Sequence, residues 1–357
     1  ALGLATPISI MVGVGRAASL GILIRNGEAL QQAGRLTTVV LDKTGTVTQG
    51  KPALTQLVTY ENVSEEEVLQ LAASLEAVSE HPLAQAVVEA AQARELTLHP
   101  VEQFIATAGE GVSGKVLEQQ ILVGNLRFMQ ANRIACDMSQ ADAQALADKA
   151  QTLIYVARND QLVGLIAVAD PIKPDSAKAI QRLHAIGMKI VMLTGDNQRT
   201  AEAVANQVGI DEIIAEVQPQ DKGKKVAELQ RQNQIVAMVG DGINDAPALA
   251  QADVGFAIGS GTDIAIESAD ITLMRGSLHG VADAIAISRA TVRNIKQNLF
   301  GAFIYNSLGI PVAAGILYPV MGILLNPMIA GAAMALSSVT VVSNANRLRL
   351  VPLGEKP

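Results

Sequence analysis

The chain has 357 residues, of which 49% are hydrophobic and only 17% charged, and its formal net charge is −7. The low charged fraction favours membrane segments, because soluble domains usually carry about 25% charged residues. The negative charge argues against a general nucleic-acid binder, and the single cysteine, Cys136, excludes a disulfide framework within the chain.

The chain opens with an apolar stretch, Ala1 to Gly15, that contains no charged residue. This stretch is shorter than the roughly 20 residues that a helix needs to span a bilayer. The first residue is Ala and not Met. We therefore interpret residues 1–30 as the end of a transmembrane helix and a cytoplasmic connection, and we expect the chain to be a fragment of a longer protein.

Residues 37–49, TTVVLDKTGTVTQ, combine an apolar strand with polar side chains at its end. The run from Val39 to Leu41 is rich in β-branched residues and predicts a buried strand within residues 31–50. Asp42 follows directly. A carboxylate at the end of a buried strand costs free energy unless a hydrogen-bonding partner, a cation or a substrate satisfies its charge. Either Asp42 only begins a turn, or it carries chemistry at the carboxyl end of a parallel strand.

Residues 51–163 predict a separate α+β domain inserted into the surrounding α/β pattern. They contain a strand, a long helix from Ser64 to about Arg94, and short strands around 109–114, 121–124 and 153–156. GEGVSG at 109–114 matches the glycine string of dinucleotide-binding loops. Because it lies between strands and does not open a helix, the dinucleotide interpretation fails.

Residues 164–296 return to alternating strands and helices, which predicts a parallel sheet with crossover helices. The strands KIVMLT (189–194) and QIVAMVG (234–240) both lead into polar residues. Four aspartates lie at or just after predicted strand ends: Asp42, Asp196, Asp241 and Asp245. Because parallel strands share one carboxyl edge, Asp42 and Asp241 should lie close together, and a cation between them would relieve their repulsion.

The residue types at this edge suit a site for magnesium and phosphate, since Mg²⁺ takes oxygen ligands and is commonly shared with substrate phosphates. Hydroxyl side chains and glycines accompany the carboxylates: Thr44, Thr46, Thr194, Gly45, Gly195 and Gly242. The glycines let backbone N–H groups approach phosphate oxygens. Lys222 opens the next predicted helix, where it would neutralise a phosphoryl group. Asp42 could then attack a γ-phosphate and hold it as an acyl phosphate.

Residues 297–346 contain no Asp, Glu, Lys, Arg or His. They accommodate two transmembrane helices of about 20 residues joined by a turn near 318–327. Basic residues flank both outer ends: Arg289, Arg293, Lys296, Arg347 and Arg349. The positive-inside rule then predicts a helical hairpin with both ends, including the tail 347–357, in the cytoplasm. The alternative is a buried helix pair in a soluble core.

Three motifs, DKTGT (42–46), TGDN (194–197) and GDGINDAPALA (240–250), resemble the phosphorylation domain of P-type ATPases, within the haloacid dehalogenase superfamily. The resemblance implies that ATP phosphorylates Asp42 and that Asp42, Thr44 and Asp241 hold Mg²⁺. The catalytic residues that it implies are Asp42, Lys43, Thr44, Thr194, Gly195, Asp196, Lys222, Asn244 and Asp245. DPIKPD (170–175), with Asp170 and Lys173, looks like the hinge-proximal motif of the family.

A further motif, SLEAVSEHPLA (74–84), is similar to the Ser-Glu-His-Pro motif of heavy-metal-transporting P-type ATPases. This similarity implies an ATP site in the inserted domain, made of Glu76, His81, Pro82, Gly109 and Gly111. His81 alone would more often be a surface or helix-capping residue. Its pairing with Pro82 and the order of the domains favour the nucleotide role.

ALGLATP (1–7), Tyr305-Asn306 and MALSS (334–338) resemble segments of copper-transporting members. The resemblance implies a Cu⁺ site lined by Tyr305, Asn306, Met334 and Ser338, with Ag⁺ as a second cargo. A thioether favours monovalent copper over zinc, and the hairpin contains no carboxylate or imidazole. The alternative is that Met334 faces lipid and that Ser337 and Ser338 bond their own helix backbone.

The resemblance covers nearly the whole chain and implies an α/β fold. It consists of a haloacid-dehalogenase-like parallel-sheet phosphorylation domain (31–50 and 164–296), an inserted α+β nucleotide-binding domain (51–163) and a C-terminal transmembrane helical hairpin (297–346). The implied function is ATP-driven export of monovalent copper across the bacterial inner (plasma) membrane, with cytoplasmic catalytic domains. The implied partners are ATP, a copper chaperone, the lipid bilayer and the N-terminal half of the same pump, but no nucleic acid.

The departures from the family are absences, because the sequence has neither the Thr-Gly-Glu of the actuator domain nor a Cys-Pro-Cys motif. Three alternatives remain. A phosphatase of the same superfamily commonly has an aspartate as general acid two residues after its nucleophile, where this chain has Thr44. The others are a zinc or cadmium pump and a membrane-anchored nucleotide sensor that no longer catalyses.

Overall fold

The computed structural model describes residues 2–79, 82–107, 109–149, 151–259, 263–322 and 326–351. The chain divides into two compact units. The first unit consists of Ala1–Thr46, Asp175–Gly195 and Val208–Pro357, and the second of Val47–Pro174 and Asp196–Gln207.

The described residues form strands and helices that are numbered here in chain order. The strands are β1 (Ile22–Ile24), β2 (Thr38–Asp42), β3 (Ala53–Thr59), β4 (Val101–Thr107), β5 (Gly111–Val116), β6 (Gln119–Gly124), β7 (Thr152–Arg158), β8 (Gln161–Ala169), β9 (Lys189–Leu193), β10 (Glu212–Ile214), β11 (Val236–Gly240), β12 (Val254–Ile258) and β13 (Ile271–Leu273). The helices are α1 (Leu2–Ala18), α2 (Gly27–Ala33), α3 (Glu65–Glu76), α4 (Pro82–Ala93), α5 (Leu126–Ala131), α6 (Gln140–Ala147), α7 (Ser176–Ala185), α8 (Gln198–Val208), α9 (Lys222–Arg231), α10 (Ala246–Gln251), α11 (Asp263–Ser268), α12 (His279–Ala313), α13 (Tyr318–Met321) and α14 (Pro327–Asn346).

The first unit is built on a seven-stranded sheet in the order β1-β13-β12-β11-β2-β9-β10. The neighbours in this sheet run parallel, except that the edge strand β1 is antiparallel to β13. β2 is buried along its whole length and pairs with both β11 and β9, so that Val40 lies opposite Met238 and Val191. The predicted α/β parallel sheet is therefore confirmed, and Asp42 ends one of its inner strands.

One apolar core of the first unit involves side chains of this sheet and of α9 and α10. Its buried members include Val40, Val191, Leu193, Val226, Leu229, Met238 and Leu249. A strand that is buried on both faces is typically a continuous run of β-branched and other apolar residues, as β2 and β11 are. This packing holds the carboxyl ends of β2, β9 and β11 in a fixed arrangement.

The second unit is a six-stranded antiparallel sheet in the order β3-β8-β7-β6-β5-β4. Alternate residues of its strands enter two different cores, because successive side chains point to opposite faces. Ile154 and Val156 pack with α3 and α4, whereas Tyr155 and Ala157 pack with α5 and α6. The unit thus has the predicted α+β class.

Two expectations for the second unit differ from the structure. The single helix expected from Ser64 to about Arg94 is instead two helices, α3 and α4, and Pro82 is the first residue of α4. Proline lacks a backbone N–H and suits the first turn of a helix, where no donor is needed. The boundary expected between residues 163 and 164 falls inside β8, which belongs throughout to the second sheet.

The C-terminal part of the first unit contains two long helices, α12 and α14. Of the described helices, one segment, Pro327–Leu350, is long and apolar enough to cross a membrane. The first span of the predicted hairpin begins at Gln297, within α12, and α12 is not among the helices that meet this criterion. The two-helix hairpin therefore stays a prediction. α1 is a shorter apolar helix of 17 residues.

α12 is 35 residues long, and its first half packs against α7. Arg182 Nη2 donates a hydrogen bond to Asp283 Oδ1 (2.7 Å), and Arg289 Nη1 donates to the carbonyl oxygen of Ile186 (2.8 Å). The same helix therefore contacts the sheet-bearing part of the first unit and continues into the uncharged stretch.

Candidate active site

The loop after β2 brings its backbone against the loop after β11. Gly45 lies at the tip of the tight turn Lys43–Val47 with a φ of 74°, a left-handed conformation that favours glycine. A Cβ atom at this position would overlap the carboxylate of Asp241. Glycine is therefore required here both by the backbone conformation and by the lack of space for a Cβ atom. Because glycine has no side chain, the two loops can lie against each other.

Lys222, the first residue of α9, joins two of the predicted aspartates. Its Nζ donates a hydrogen bond to Asp42 Oδ1 (2.6 Å) and another to Asp245 Oδ1 (2.7 Å). All three side chains are buried, with Lys222 only 7% exposed. Burial would lower the pKa of Lys222, but the carboxylates of Asp42 and Asp245 outweigh it and raise that pKa above its usual value. The lysine is therefore held as a cation.

Three carboxylates share this site, because oxygen atoms of Asp42, Asp241 and Asp245 all lie within 4.8 Å of one another. Burial first, and then the charge of Asp245, raise the pKa of Asp42 to about 7; Asp241 adds to this effect and Lys222 opposes it. Three ionised carboxylates beside one lysine leave an excess of negative charge. Carboxylate oxygens are the ligands that hard divalent cations prefer, so the residues present fit Mg²⁺.

β9 ends beside the same edge, since Leu193 lies opposite Asp42 in the sheet. The next residue, Thr194, is buried, and its backbone N–H donates to Ile214 O (3.0 Å) while its carbonyl accepts from Val217 N (3.1 Å). Gly195 follows it at the end of this segment of the first unit. Thr194 is thus held firmly next to the strand that carries Asp42.

The other residues of the predicted catalytic set lie around the buried cluster or outside it. Lys43 is buried in the turn after β2, whereas Thr44 and Asn244 are exposed in the loops after β2 and β11. Asp196 belongs to the part of the chain assigned to the second unit. The structure therefore brings together Asp42, Asp241, Asp245 and Lys222.

Sequence analysis missed the contribution of Gly240, the last residue of β11. A Cβ atom there would lie 2.7 Å from atoms of the Asp245 side chain. The Gly242 N–H in turn donates to Asp245 Oδ2 (3.2 Å). The sequence signal was a glycine that ends an apolar strand directly before an aspartate, which indicates close approach of another group.

Asp170, the residue assigned to the hinge-proximal motif, ties together two segments of the second unit. Its Oδ2 accepts a hydrogen bond from Thr48 Oγ1 (2.5 Å) and its Oδ1 accepts from Gly50 N (2.8 Å). Thr48 also forms a β-bridge with Ile172, and Lys173 N donates to Val47 O (3.0 Å). The two segments therefore run side by side as a short, hydrogen-bonded ribbon.

The residues predicted to bind the nucleotide are only partly described. Glu76 is buried at the end of α3, and burial raises its pKa despite a hydrogen bond with Ser79. Gly109 has a φ of 73° and open space where a Cβ would be, whereas a Cβ on Gly111 would meet Val123 O at 2.5 Å. His81 lies outside the described residues, and Pro82 is described only as the start of α4. The nucleotide site stays a prediction.

The four residues predicted to bind copper lie on α12 and α14. Met334 is 66% exposed and Tyr305 is also exposed. Asn306 Nδ2 donates to the Ala302 carbonyl (2.9 Å) and Ser338 Oγ donates to the Met334 carbonyl (3.2 Å), each within its own helix. Tyr305 lines the cavity between α12 and α14 with Ser337, the serine next to the predicted one. This site also stays a prediction.

Comparison with known proteins identifies the family. A profile of the haloacid dehalogenase-like hydrolase family matches residues 36–253, the part that carries the buried aspartates and Lys222. The chain belongs to this family. The matched residues include β2, β9 and β11 and the cluster at their carboxyl ends.

The chain is also similar over almost its whole length to individual ATPases that transport heavy metals. The chain is 55% identical to Copper-transporting ATPase 2 of Rhizobium meliloti (strain 1021), over 98% of the chain and 42% of the relative. It is 52% identical to the silver exporting P-type ATPase of Salmonella typhimurium, over 99% of the chain and 43% of the relative. A crystal structure of a zinc-transporting PIB-type ATPase in the E2.Pi state is 40% identical, with a TM-score of 0.87, over 98% of the chain and 55% of that protein.

The resemblance to heavy-metal P-type ATPases of the copper subfamily, predicted from the motifs, is therefore confirmed. The chain spans less than half the length of these curated relatives. What the relatives do as whole proteins bears on this chain only as a proposal.

Proposed function

We propose that this chain is the catalytic and C-terminal membrane portion of an ATP-driven exporter of monovalent copper that forms an aspartyl phosphate. The observation that carries the proposal is the buried cluster in which Lys222 contacts both Asp42 and Asp245 while Asp241 lies beside them. A buried structural ion pair needs one carboxylate for one lysine. Two further carboxylates at the end of an inner parallel strand indicate a site built for a charged substrate.

In the proposed reaction, a carboxylate oxygen of Asp42 attacks the γ-phosphorus of ATP. The new Oδ–P bond forms while the bond between the γ-phosphorus and its bridging oxygen breaks, and ADP leaves with that electron pair. Lys222 compensates the negative charge of the phosphoryl oxygens at the moment of transfer. Thr194, held at the end of β9, offers a hydroxyl at the same edge. The role of the chain is mainly positioning and charge compensation, as in phosphoryl transfer generally.

The negative charge that Lys222 leaves uncompensated favours the binding of Mg²⁺ in this site. Asp42, Asp241 and the backbone carbonyl of Thr44 are the proposed ligands, and the oxygen-only donor set suits that ion. When bound, Mg²⁺ would neutralise phosphate charge. ATP itself would bind in the second unit near Glu76, Gly109 and Gly111, with His81 and Pro82 completing that site.

Copper is the proposed cargo. The copper-transporting and silver-exporting ATPases described above are 55% and 52% identical to the chain, whereas the zinc-transporting structure is 40% identical. The ligands proposed on α12 and α14 are Tyr305, Asn306, Met334 and Ser338, and the thioether among them favours Cu⁺ or Ag⁺. A chaperone that delivers Cu⁺ and a location in the bacterial inner membrane are parts of the same proposal.

A zinc or cadmium pump is the second candidate, because a zinc-transporting ATPase has the same fold over 98% of the chain. Metal-stimulated ATP hydrolysis by the full-length pump distinguishes the two. We expect stimulation by Cu⁺ and Ag⁺ but not by Zn²⁺ or Cd²⁺. Stimulation by Zn²⁺ alone would replace the copper assignment by the second candidate.

The nucleophile is tested separately with ATP labelled at the γ-phosphate. The full-length wild-type pump should retain label in acid and release it with hydroxylamine, as an acyl phosphate does. Asp42→Asn should abolish the label, and Asp137→Asn, which changes an exposed aspartate of the second unit, should leave it unchanged. Label that survives in Asp42→Asn would refute the assignment.

A further inference from the structure

Four polar side chains from three helices meet where the uncharged stretch of the chain begins. Ser9 lies on α1, Asn294 and Asn298 lie on α12, and Asn344 lies on α14. The first three are buried and Asn344 is half-buried. These four residues are called the amide cluster below. None of them belongs to a motif that the resemblance to P-type ATPases used.

The hydrogen bonds of the amide cluster connect α12 to both other helices. Asn298 Nδ2 donates to Ser9 Oγ (3.0 Å) and Asn294 Oδ1 (3.1 Å), and Asn298 Oδ1 accepts from Asn344 Nδ2 (2.9 Å). Asn294 Nδ2 donates to the carbonyl oxygen of Asn344 (2.8 Å). A side-chain amide has two N–H donors and one acceptor oxygen. Both donors of Asn298 and its oxygen form hydrogen bonds inside the cluster, so the hydrogen-bonding groups of this side chain are all used there.

The packing of α1 on α12 allows little sliding. The buried residues of α1 are small: Ala5, Ser9, Gly13 and Ala17. A Cβ atom on Gly13 would overlap the side chain of Thr291 on α12, so the two backbones lie close together. A shift by one residue would separate the amides and leave buried donors without partners, which is costly. Close packing and directed hydrogen bonds therefore select one register.

The amide cluster lies about two helical turns from Tyr305, one of the four residues expected to bind copper, and from Ser337, the neighbour of another. Asn298 and Tyr305 are seven residues apart on α12, and Ser337 and Asn344 are seven apart on α14, about two helical turns in each case. All four line one cavity of about 560 Å³ between the helices. The hydrogen bond between Asn298 and Asn344 therefore sets which residues of α12 and α14 face each other two turns further along.

We propose that Asn298, supported by Asn294, Asn344 and Ser9, is a positioning residue for the transported ion. The cluster holds α1, α12 and α14 in the register in which Tyr305 and its neighbours form the ion site. This inference rests on the proposed transport function. It differs from a purely structural role, because a shifted register would weaken ion binding while leaving the buried aspartates of the catalytic edge intact.

The functional test uses a full-length pump that carries this chain as its C-terminal part. Asn298→Leu removes the cluster hydrogen bonds of that side chain while keeping its number of heavy atoms and its branching at Cγ. Thr340→Val is the matched control, because Thr340 lines the same cavity and its hydroxyl donates to the Leu336 carbonyl of its own helix (2.9 Å). Phosphorylation by ATP is titrated with Cu⁺, and phosphorylation by inorganic phosphate is measured without transported ion.

We expect Asn298→Leu to raise the Cu⁺ concentration for half-maximal phosphorylation at least tenfold. Phosphorylation by inorganic phosphate should stay within twofold of wild type, and Thr340→Val should change neither by more than twofold. An unchanged Cu⁺ titration in Asn298→Leu would overturn the proposal, as would an equal loss of both phosphorylation reactions. A wild-type pump without Cu⁺-dependent phosphorylation would refute the proposed function instead.

Amide hydrogen exchange of the full-length pump in detergent tests the register without reference to transport. Asn298→Leu and the milder Ser9→Ala should speed exchange of the α12 and α14 amides around the cluster at least tenfold and threefold, respectively. Exchange in β2 and β11 should stay unchanged. If the helix amides of both variants exchange no faster than in Thr340→Val, the register role is refuted.

Discussion

Lys222→Met is the most informative substitution at the buried cluster. The change keeps the length and apolar part of the side chain but removes the positive charge that lies 2.6 Å from Asp42 and 2.7 Å from Asp245. Removing one partner of a buried ion pair typically costs 3–5 kcal/mol. For a unit of this size, about 1 kcal/mol corresponds to roughly 2–4 °C in melting temperature. We therefore expect a fall of about 10 °C for the first unit at pH 8 without divalent cations.

The size of this effect should depend on pH. The folded-state pKa of Asp42 is raised from 3.8 to about 7, so the folded chain holds a proton that the unfolded chain has released between those values. Stability from this group is thus fully present below about pH 4 and lost as pH rises through about 7. At pH 5.5 Asp42 is mostly neutral, and the loss of Lys222 should then lower the melting temperature by about half as much.

Scanning calorimetry of the chain in detergent and EDTA measures both values. Lys224→Met is the matched control, since Lys224 lies on the same helix and its side chain is 75% exposed beside Asp221. That variant should melt like wild type at either pH. Equal falls in Lys222→Met at pH 5.5 and pH 8, or a melting temperature that matches Lys224→Met, would refute the reasoning about buried charge.

Three further predictions concern the loops and the cation. Gly45→Ala should abolish phosphorylation by ATP because the new Cβ overlaps Asp241, whereas Gly187→Ala, which also has a positive φ but open space, should keep it; equal activity would refute this. Saturating Mg²⁺ at 100 times its Kd adds about 2.7 kcal/mol to the folded state. It should raise the calorimetric melting temperature at pH 8 by roughly 5–10 °C, and an equal rise in Asp241→Asn would contradict the assignment. Gly111→Ala should lower the free energy of unfolding of the second unit by about 1–3 kcal/mol, because the new Cβ overpacks against Val123 and Phe128. Gly109→Ala should lower it less, as measured by urea unfolding of both variants.

The sequence was sufficient to predict the parallel sheet and the carboxylates at its edge. Val39, Val40 and Leu41 are a buried apolar run that includes two β-branched valines, and no competing local pattern is present. Parallel strands bring their carboxyl ends to one edge, so the proximity of Asp42 and Asp241 followed from topology alone. That Lys222 would contact both Asp42 and Asp245 was not predictable, because it depends on the angle at which α9 leaves the edge.

Other features depend on tertiary contacts that have no local signal. The break between α3 and α4 was missed because the apolar spacing continues across it, and Pro82 is tolerated at the first position of a helix as well as in a turn. The amide cluster was missed for a different reason. Asn294, Asn298 and Asn344 are polar residues near the edge of an apolar stretch, and only packing decides whether such residues face water or one another.

The length of α12 has a consequence for how this chain can vary. Its first half is fixed by the hydrogen bond between Arg182 and Asp283, and its middle by the bond between Asn298 and Asn344. One inserted residue would turn every later side chain by about 100° and advance it by about 1.5 Å. Both contacts could not then be kept without distorting the helix. The spacing of 15 residues between Asp283 and Asn298 is therefore fixed, so that residues between them can be exchanged but none can be added or removed.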